Sequence, residues 1–180
     1  ILAIAILFPT ATIAQTDITG FSGIEWGVVL EVTPLRNDIN ARKKLTPLMT
    51  VVEQVRSTFM ERTADVRYGF MDGSGLQWGQ VEMDWLGDQV KIGREVLTKL
   101  IGKYGTPNRF QFESTSMPPL SSVDAYIEKW RVKNAESLTN TIELEWSDRD
   151  GDLLRIRLDS RILITYMSRV YIQKSSKSDY

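Results

Sequence analysis

Apolar and polar residues alternate through the last third of the chain, and this alternation predicts β-strands. The pattern is regular over residues 142–146 and 154–158, and a β-branched and aromatic register follows over residues 162–172. Short connections join the three segments. We therefore predict a C-terminal three-stranded antiparallel meander, followed by a frayed tail over residues 175–180.

A second pair of alternating segments lies in the middle of the chain. Residues 66–71 and 76–85 flank the turn sequence Asp-Gly-Ser-Gly at 72–75, as in a β-hairpin. The apolar residues change from even to odd positions within the second segment. One inserted residue would allow the apolar side chains at the even and at the odd positions all to point into the core, so we predict a β-bulge at Gly79. The alternative is that Trp78 points outward.

Apolar residues at helical spacing predict further elements. The stripe over residues 47–61 follows the i, i+3, i+4, i+7 pattern and predicts a helix. A second apolar side over residues 90–101 predicts a helix that ends before Gly105. Residues 123–133 fit both a helix and a strand, and we expect a helical turn that passes into a strand near Trp130.

Together these elements predict an α+β fold, an antiparallel β-sheet with two or three helices packed on one face. A short strand over 28–33 adds to the sheet, whereas the pattern over 109–134 leaves its secondary structure open. Residues 15–174 then form a single domain. The order strand, Asp-Gly turn and strand occurs at 66–85 and again at 141–159, which leaves two related halves as an alternative.

Residues 1–14 predict export from the cytoplasm. An apolar run is followed by Ala-Thr-Ile-Ala, the small-residue pattern of a cleavage site, so we expect a signal peptide that is truncated at its start. An N-terminal membrane anchor is the alternative. After cleavage the protein would not span a membrane, and we expect a periplasmic or secreted location.

The composition excludes several kinds of site. Cys and His are absent, so a Cys–His pair, a Ser–His–Asp triad and a His-based zinc site have no residues to build them. The net charge of −1 argues against nucleic acid as a partner. Catalysis would need carboxylates, Lys, Tyr or Ser, and no spacing of the carboxylates singles out an acid–base pair. The acids considered are Glu25, Glu82, Asp84, Glu143 and Glu145.

The apolar residues of the C-terminal hairpin define its register. Opposed residues point to the same face, so pairing 146 with 154 and 144 with 156 brings the apolar positions together. This register leaves a three-residue loop, Arg149-Asp150-Gly151, with glycine at the left-handed position of a type I turn plus G1 bulge. It also places Glu145 opposite Arg155, where the charges attract.

Three acids crowd this turn. Asp148, Asp150 and Asp152 occupy alternate positions, as do the first ligands of an EF-hand. However, Leu153 stands where the EF-hand requires glycine, and no flanking helices are predicted. We therefore favour a simple acidic turn, with a weak calcium site as the alternative and no other cofactor.

Tryptophan supplies the candidates for a binding surface. The chain has five tryptophans, of which Trp26 and Trp130 are the least constrained by the predicted strands. Exposed, they would form an aromatic platform for a glycan or a peptide. Burial in the core is the alternative, since aromatic side chains contribute much of the area of protein cores.

Three short motifs resemble those of a known group of proteins. The segments F-S-G-I-E-W-G at 21–27, K-Y-G-T-P at 103–107 and I-E-L-E-W at 142–146 resemble uncharacterised small exported bacterial domains with a GI-x-WG motif and a KYG-x-P helix end. The resemblance implies an exported α+β domain and offers no catalytic residues.

We therefore expect a non-enzymatic binding or accessory protein of the bacterial envelope. Its partner would be an envelope protein or a peptide, and an exposed edge of the predicted sheet could bind it by strand addition. An inhibitor of a secreted hydrolase and a carboxylate-based envelope hydrolase are the alternatives.

Overall fold

The computed structural model describes residues 16–33, 35, 41–46, 48–83, 89–131 and 140–176. Within these ranges the chain forms eleven strands and three α-helices, so the predicted α+β class with an antiparallel sheet is confirmed. None of the helices in these ranges is long and apolar enough to cross a membrane. The predicted signal peptide lies outside the described residues.

The elements follow one another along the chain with these bounds. The strands are β1 (Gly20–Phe21), β2 (Ile24–Glu25), β3 (Ala41–Thr46), β4 (Met49–Phe59), β5 (Arg62–Met71), β6 (Gly75–Met83), β7 (Arg109–Phe112), β8 (Thr115–Met117), β9 (Ile142–Ser147), β10 (Leu153–Leu158) and β11 (Ile162–Met167). The α-helices are α1 (Gln89–Tyr104), α2 (Val123–Trp130) and α3 (Arg169–Ser175), and a 3-10 helix spans Leu30–Val32.

Nine of the strands form a single antiparallel sheet in the order β3-β4-β5-β6-β11-β10-β9-β7-β8. The predicted meander, β9-β10-β11, is confirmed and lies inside this sheet between β7 and β6. The predicted hairpin register is also confirmed, with Trp146 opposite Leu154 and Glu145 opposite Arg155. Gly151 takes the left-handed conformation that its turn requires, with φ of 85°.

One face of the central strands is buried and the other carries charges. Side chains alternate between the two faces of a strand, so every second residue of β9, β10 and β11 enters the core. The helices α1 and α2 add Val96, Leu97, Leu100, Tyr126, Ile127 and Trp130 to the same core. On the charged face, the Arg155 guanidinium lies 2.8 Å from Glu145 and 3.3 Å from Glu143.

The helix predicted over residues 47–61 is wrong, because Met49–Phe59 forms strand β4 between β3 and β5. Val and Thr lose side-chain freedom in a helix and fit a pleated sheet well. The apolar stripe is not a buried face either, since Val52 is buried whereas Leu48 and Val55 are exposed. Pairing with two neighbouring strands therefore prevails over the helical spacing.

Two other predicted strands differ from the structure. The segment 28–33 contains the short 3-10 helix instead of a strand. The last strand ends at Met167, because the Ser168 hydroxyl accepts a hydrogen bond from the Tyr171 backbone N–H at 3.1 Å and caps α3. Trp130 is the last residue of α2, so the strand predicted to begin near it within 123–133 does not include Trp130, and residues 132–133 lie outside the described residues.

The predicted β-bulge is present, but it lies at Gln77 instead of Gly79. The β5–β6 register shifts between Gly69 and Phe70, and this shift leaves Gln77 as the inserted residue. Gln77 is buried, whereas Trp78 is only partly buried. The inserted Gln77 therefore produces the change of the apolar residues from even to odd positions. Gly79 is not part of the bulge and has a different role.

Candidate binding cleft

The F-S-G-I-E-W-G segment folds as the β1–β2 hairpin and continues along β6. Ser22 and Gly23 form its turn with φ of 52° and 79°, the left-handed values that a type I′ turn requires. Beyond the hairpin, the Gly27 backbone N–H donates to Leu76 at 2.9 Å, and the Leu76 N–H donates to Val28 at 2.9 Å. The motif therefore joins the N-terminal segment to the sheet.

Phe21 is the buried anchor of this hairpin. Its ring lies against Gly79, where an added Cβ atom would come within 2.1 Å of the Phe21 Cδ1 atom. The ring centroid is 5.1 Å from those of Tyr68 and Tyr166 and 6.4 Å from that of Phe59. Gly79 is thus needed for the close approach of an aromatic ring to the strand.

A cleft of about 510 Å³ opens between the β1–β2 hairpin, the β4–β5 turn and the C-terminal half of α1. Its volume lies within the range of ligand pockets, roughly 300–1,000 Å³. The apolar part of its lining comes from Phe21, Ile24, Phe59, Leu100, Tyr104 and Tyr166. These side chains come from five different elements, so only the folded chain brings them together.

Two lysines of α1 line one side of the cleft. Lys99 and Lys103 are four residues apart and therefore lie on the same side of the helix. The Lys99 Nζ atom is 3.7 Å from the carboxylate of the exposed Glu61. The Lys103 Nζ atom lies 4.9 Å from the Tyr104 ring centroid. Exposed contacts of this kind contribute little to the stability of the protein, so both ammonium groups can exchange them for contacts with a ligand.

The other ionisable groups of the cleft are two carboxylates and two tyrosines. Asp17 and Glu25 belong to the lining, and Asp17 pairs with Arg149 at 3.3 Å. Burial raises the pKa of Tyr166 well above its usual value, and a hydrogen bond with Tyr104 adds to this effect. The Tyr166 hydroxyl therefore keeps its proton at neutral pH and acts as a hydrogen-bonding group.

The two tryptophans proposed as binding surfaces have different surroundings. Trp130 is 1% exposed, and its indole N–H donates to the Asp159 carbonyl at 3.2 Å. It is therefore a core residue, contrary to the prediction of a binding surface there. Trp26 is partly buried and its indole N–H donates to the Ile18 carbonyl at 2.7 Å. A binding surface at Trp26 stays a prediction.

The aspartates of the acidic turn accept hydrogen bonds from the backbone near the start of the described chain and at the start of α3. One oxygen of Asp148 accepts from the backbone N–H groups of Asp150 at 3.0 Å and Asp152 at 2.9 Å. Its other oxygen accepts from the Ile18 N–H at 2.8 Å. Asp152 accepts from the Arg169 N–H at 2.6 Å. The two facing aspartates thus have separate backbone donors, which offset their mutual repulsion.

The same geometry bears on the predicted calcium site. Burial raises the pKa of Asp152, and the negative charges of Asp148 and Asp150 raise it further. In the described part of the chain, no group of three or more acidic side chains is placed to hold a metal ion. Calcium takes roughly six to eight oxygen ligands, whereas both oxygens of Asp148 already accept backbone hydrogen bonds. The calcium site stays a prediction that this arrangement does not favour.

Asp148→Asn should lower the free energy of unfolding by about 2 kcal/mol. The amide nitrogen of asparagine would replace one carboxylate oxygen and leave a backbone N–H without its acceptor. Urea unfolding followed by tryptophan fluorescence measures this loss. The control is Asp150→Asn on the exposed residue of the same turn, which should change stability by less than about 0.5 kcal/mol. Equal losses in both variants would contradict the assigned role of Asp148.

The acids considered for catalysis are not gathered in one site among the described residues. Glu82 lies 3.2 Å from Arg67 on the charged face of the sheet, where Arg155 also binds the two glutamates of β9. Glu25 lines the cleft. Asp84 lies outside the described residues. The ion pairs of the charged face therefore stabilise the sheet, and the cleft is a separate site.

Sequence reasoning missed the cleft, because its lining residues are far apart along the chain. The spacing of Lys99 and Lys103 was the one visible signal, and a pair of lysines on a helix is common on protein surfaces. No family model, curated protein or solved structure matches this chain.

Proposed function

We propose that this is a non-enzymatic binding or accessory protein of the bacterial envelope, exported to the periplasm or secreted, with a protein or peptide as its partner. The observation that carries the proposal is the cleft of about 510 Å³, with its aromatic lining and its lysine pair. Ligand sites in proteins are typically concave and mostly apolar, with a few placed polar groups. The apolar run and cleavage-like pattern of residues 1–14 support export.

The chemistry of the cleft favours a peptide segment that carries a carboxylate beside a bulky apolar residue. Ile24 and Phe59 are only partly buried and offer apolar surface to such a residue. Burial of apolar surface contributes about 25 cal/mol per Å². Lys99 and Lys103 lie next to this surface and would attract the carboxylate of the ligand.

Short peptides test this proposal by isothermal titration calorimetry with the full chain. A hexapeptide with a central Glu-Phe pair should bind. Its Gln-Phe counterpart should bind up to about fivefold more weakly because it lacks the charge. The Glu-Ala counterpart should bind more than about tenfold more weakly because it loses the aromatic burial. Equal affinities for the three peptides would contradict the proposal.

Variants of the protein provide the matched control for the same peptide. Reversing both charges, with Lys99→Glu and Lys103→Glu, should weaken binding of the Glu-Phe peptide by about tenfold. Lys91→Glu places a reversed charge on the exposed surface of the same helix, outside the cleft lining, and should leave the affinity nearly unchanged. Mass spectrometry of the titrated peptide distinguishes the hydrolase alternative, because cleavage would indicate an enzyme instead of a binding protein.

A further inference from the structure

Strand β3 forms an outer edge of the nine-stranded sheet. It pairs with β4 on one side, and no strand of the described ranges pairs with its other side. An edge strand presents every second backbone N–H and C=O outward, where another extended chain can bind to them. The edge therefore offers hydrogen-bonding groups that are independent of the cleft, since β3 contributes no residue to the cleft lining.

The side chains of this edge carry one sign of charge. Arg42, Lys43 and Lys44 are consecutive and exposed, and none of them forms an ion pair with another described residue. Successive residues of a strand point to opposite faces. Arg42 and Lys44 therefore lie on one face of the sheet and Lys43 on the other. A chain added beside β3 meets positive charge on both of its faces.

A second copy of the same edge is a poor partner for β3. In an antiparallel pair centred on Lys43, the residue opposite Lys43 is another Lys43, and Arg42 lies opposite Lys44. Like charges directly opposite each other destabilise a strand pair. Edge lysines are one of the means by which proteins prevent pairing between copies. The same three cations stabilise pairing with a strand that has acids at the opposing positions.

We propose that β3 binds an extended acidic segment of a partner protein as an added strand. Backbone hydrogen bonds would hold the segment in register. Acids at three successive positions would pair with Arg42, Lys43 and Lys44 across the two faces. The exposed side chains of Leu45 and Leu48, at 57% and 62%, provide apolar contacts beside the charged positions.

Fluorescence anisotropy with the full chain and a labelled peptide tests the charge requirement. The probe is a ten-residue peptide with a central Glu-Glu-Asp run between β-branched residues. It should bind, and its Gln-Gln-Asn counterpart should bind at least about tenfold more weakly, since each of three exposed pairs adds up to about fivefold. The affinity of the acidic peptide should also fall as salt is added. Equal binding of the two peptides would overturn the proposal.

Backbone methylation of the peptide separates strand addition from plain charge attraction. Two isomers of the acidic peptide carry N-methyl groups on alternate amides, one on the odd residues and one on the even residues. An added strand uses only one of these sets, so one isomer should bind and the other should lose binding. If both isomers bind equally, the peptide is held by charge alone and the proposed strand addition is wrong.

Charge reversal on the protein locates the site. Lys43→Glu should weaken binding of the acidic peptide by about fivefold. The matched control is Arg109→Glu, which makes the same charge change at an exposed residue of β7 and should leave the affinity unchanged. Circular dichroism and thermal melting confirm that both variants are folded. An equal loss in the control would place the peptide elsewhere and overturn the assignment to β3.

Discussion

Gly79→Ala should lower the free energy of unfolding by about 3 kcal/mol, an unusually large effect for one added methyl group. A Cβ atom at this position would lie 2.1 Å from Cδ1 of Phe21, far inside contact distance. The ring cannot move away easily, because Phe21 is 1% exposed and its centroid lies 5.1 Å from those of Tyr68 and Tyr166. Urea unfolding followed by tryptophan fluorescence measures the loss.

A double-mutant cycle attributes this loss to the contact with Phe21. Phe21→Ala alone should lower the free energy of unfolding by about 3–5 kcal/mol, because it leaves a cavity under the β1–β2 hairpin. In that background Gly79→Ala should cost less than about 0.5 kcal/mol, since the added methyl group would no longer meet a ring. Additive costs would show that the effect of Gly79→Ala has another origin. Because Phe21 also lines the cleft, both single variants should weaken peptide binding there.

Gly93→Ala should lower the free energy of unfolding by about 2 kcal/mol. Alanine in a helix usually stabilises by up to about 1 kcal/mol relative to glycine. Here the added Cβ atom would lie 2.4 Å from Cζ3 of Trp130, whose ring is buried between α1 and the rest of the core. The clash should therefore outweigh the gain in helix propensity. Thermal melting and urea unfolding measure the net change.

Gly102→Ala is the matched control, because it is the same substitution in the same helix. An added Cβ atom at Gly102 meets nothing within 4 Å, and the residue is exposed. The substitution should raise the free energy of unfolding by up to about 1 kcal/mol. The two variants should thus differ in sign. A shift in the same direction for both would show that packing against Trp130 does not distinguish the two sites.

The C-terminal hairpin was predictable to single residues because its information is local. The alternating apolar residues of β9 and β10 face the same side of the sheet in only one register. This register leaves a three-residue loop, and Gly151 occupies the loop position that requires a left-handed conformation. The paired Glu145 and Arg155 agree with the same register. The turn residues, the alternation of side chains between the two faces and the charge pairs all involve neighbouring positions. All three indicate the same register for this hairpin.

The error over residues 47–61 arose because the segment was interpreted without its neighbouring strands. The spacing of apolar residues there matched a helix, but Val52 is buried whereas Leu48 and Val55 are exposed. As a strand, this segment forms its backbone hydrogen bonds with β3 and β5, the strands immediately before and after it, in two successive hairpins. Periodicity within one segment does not report on those partners.

Patterns read along the chain were sufficient for the α+β class, the C-terminal meander and the acidic three-residue turn. These features follow from alternation and turn residues over a few neighbouring positions. Tertiary contacts were needed to bury Trp130 against Gly93 and to bring Phe21 over Gly79. They also assembled the cleft from the β1–β2 hairpin, the β4–β5 turn, α1 and β11. Packing joins residues far apart in the sequence, and no local pattern encodes which of them meet.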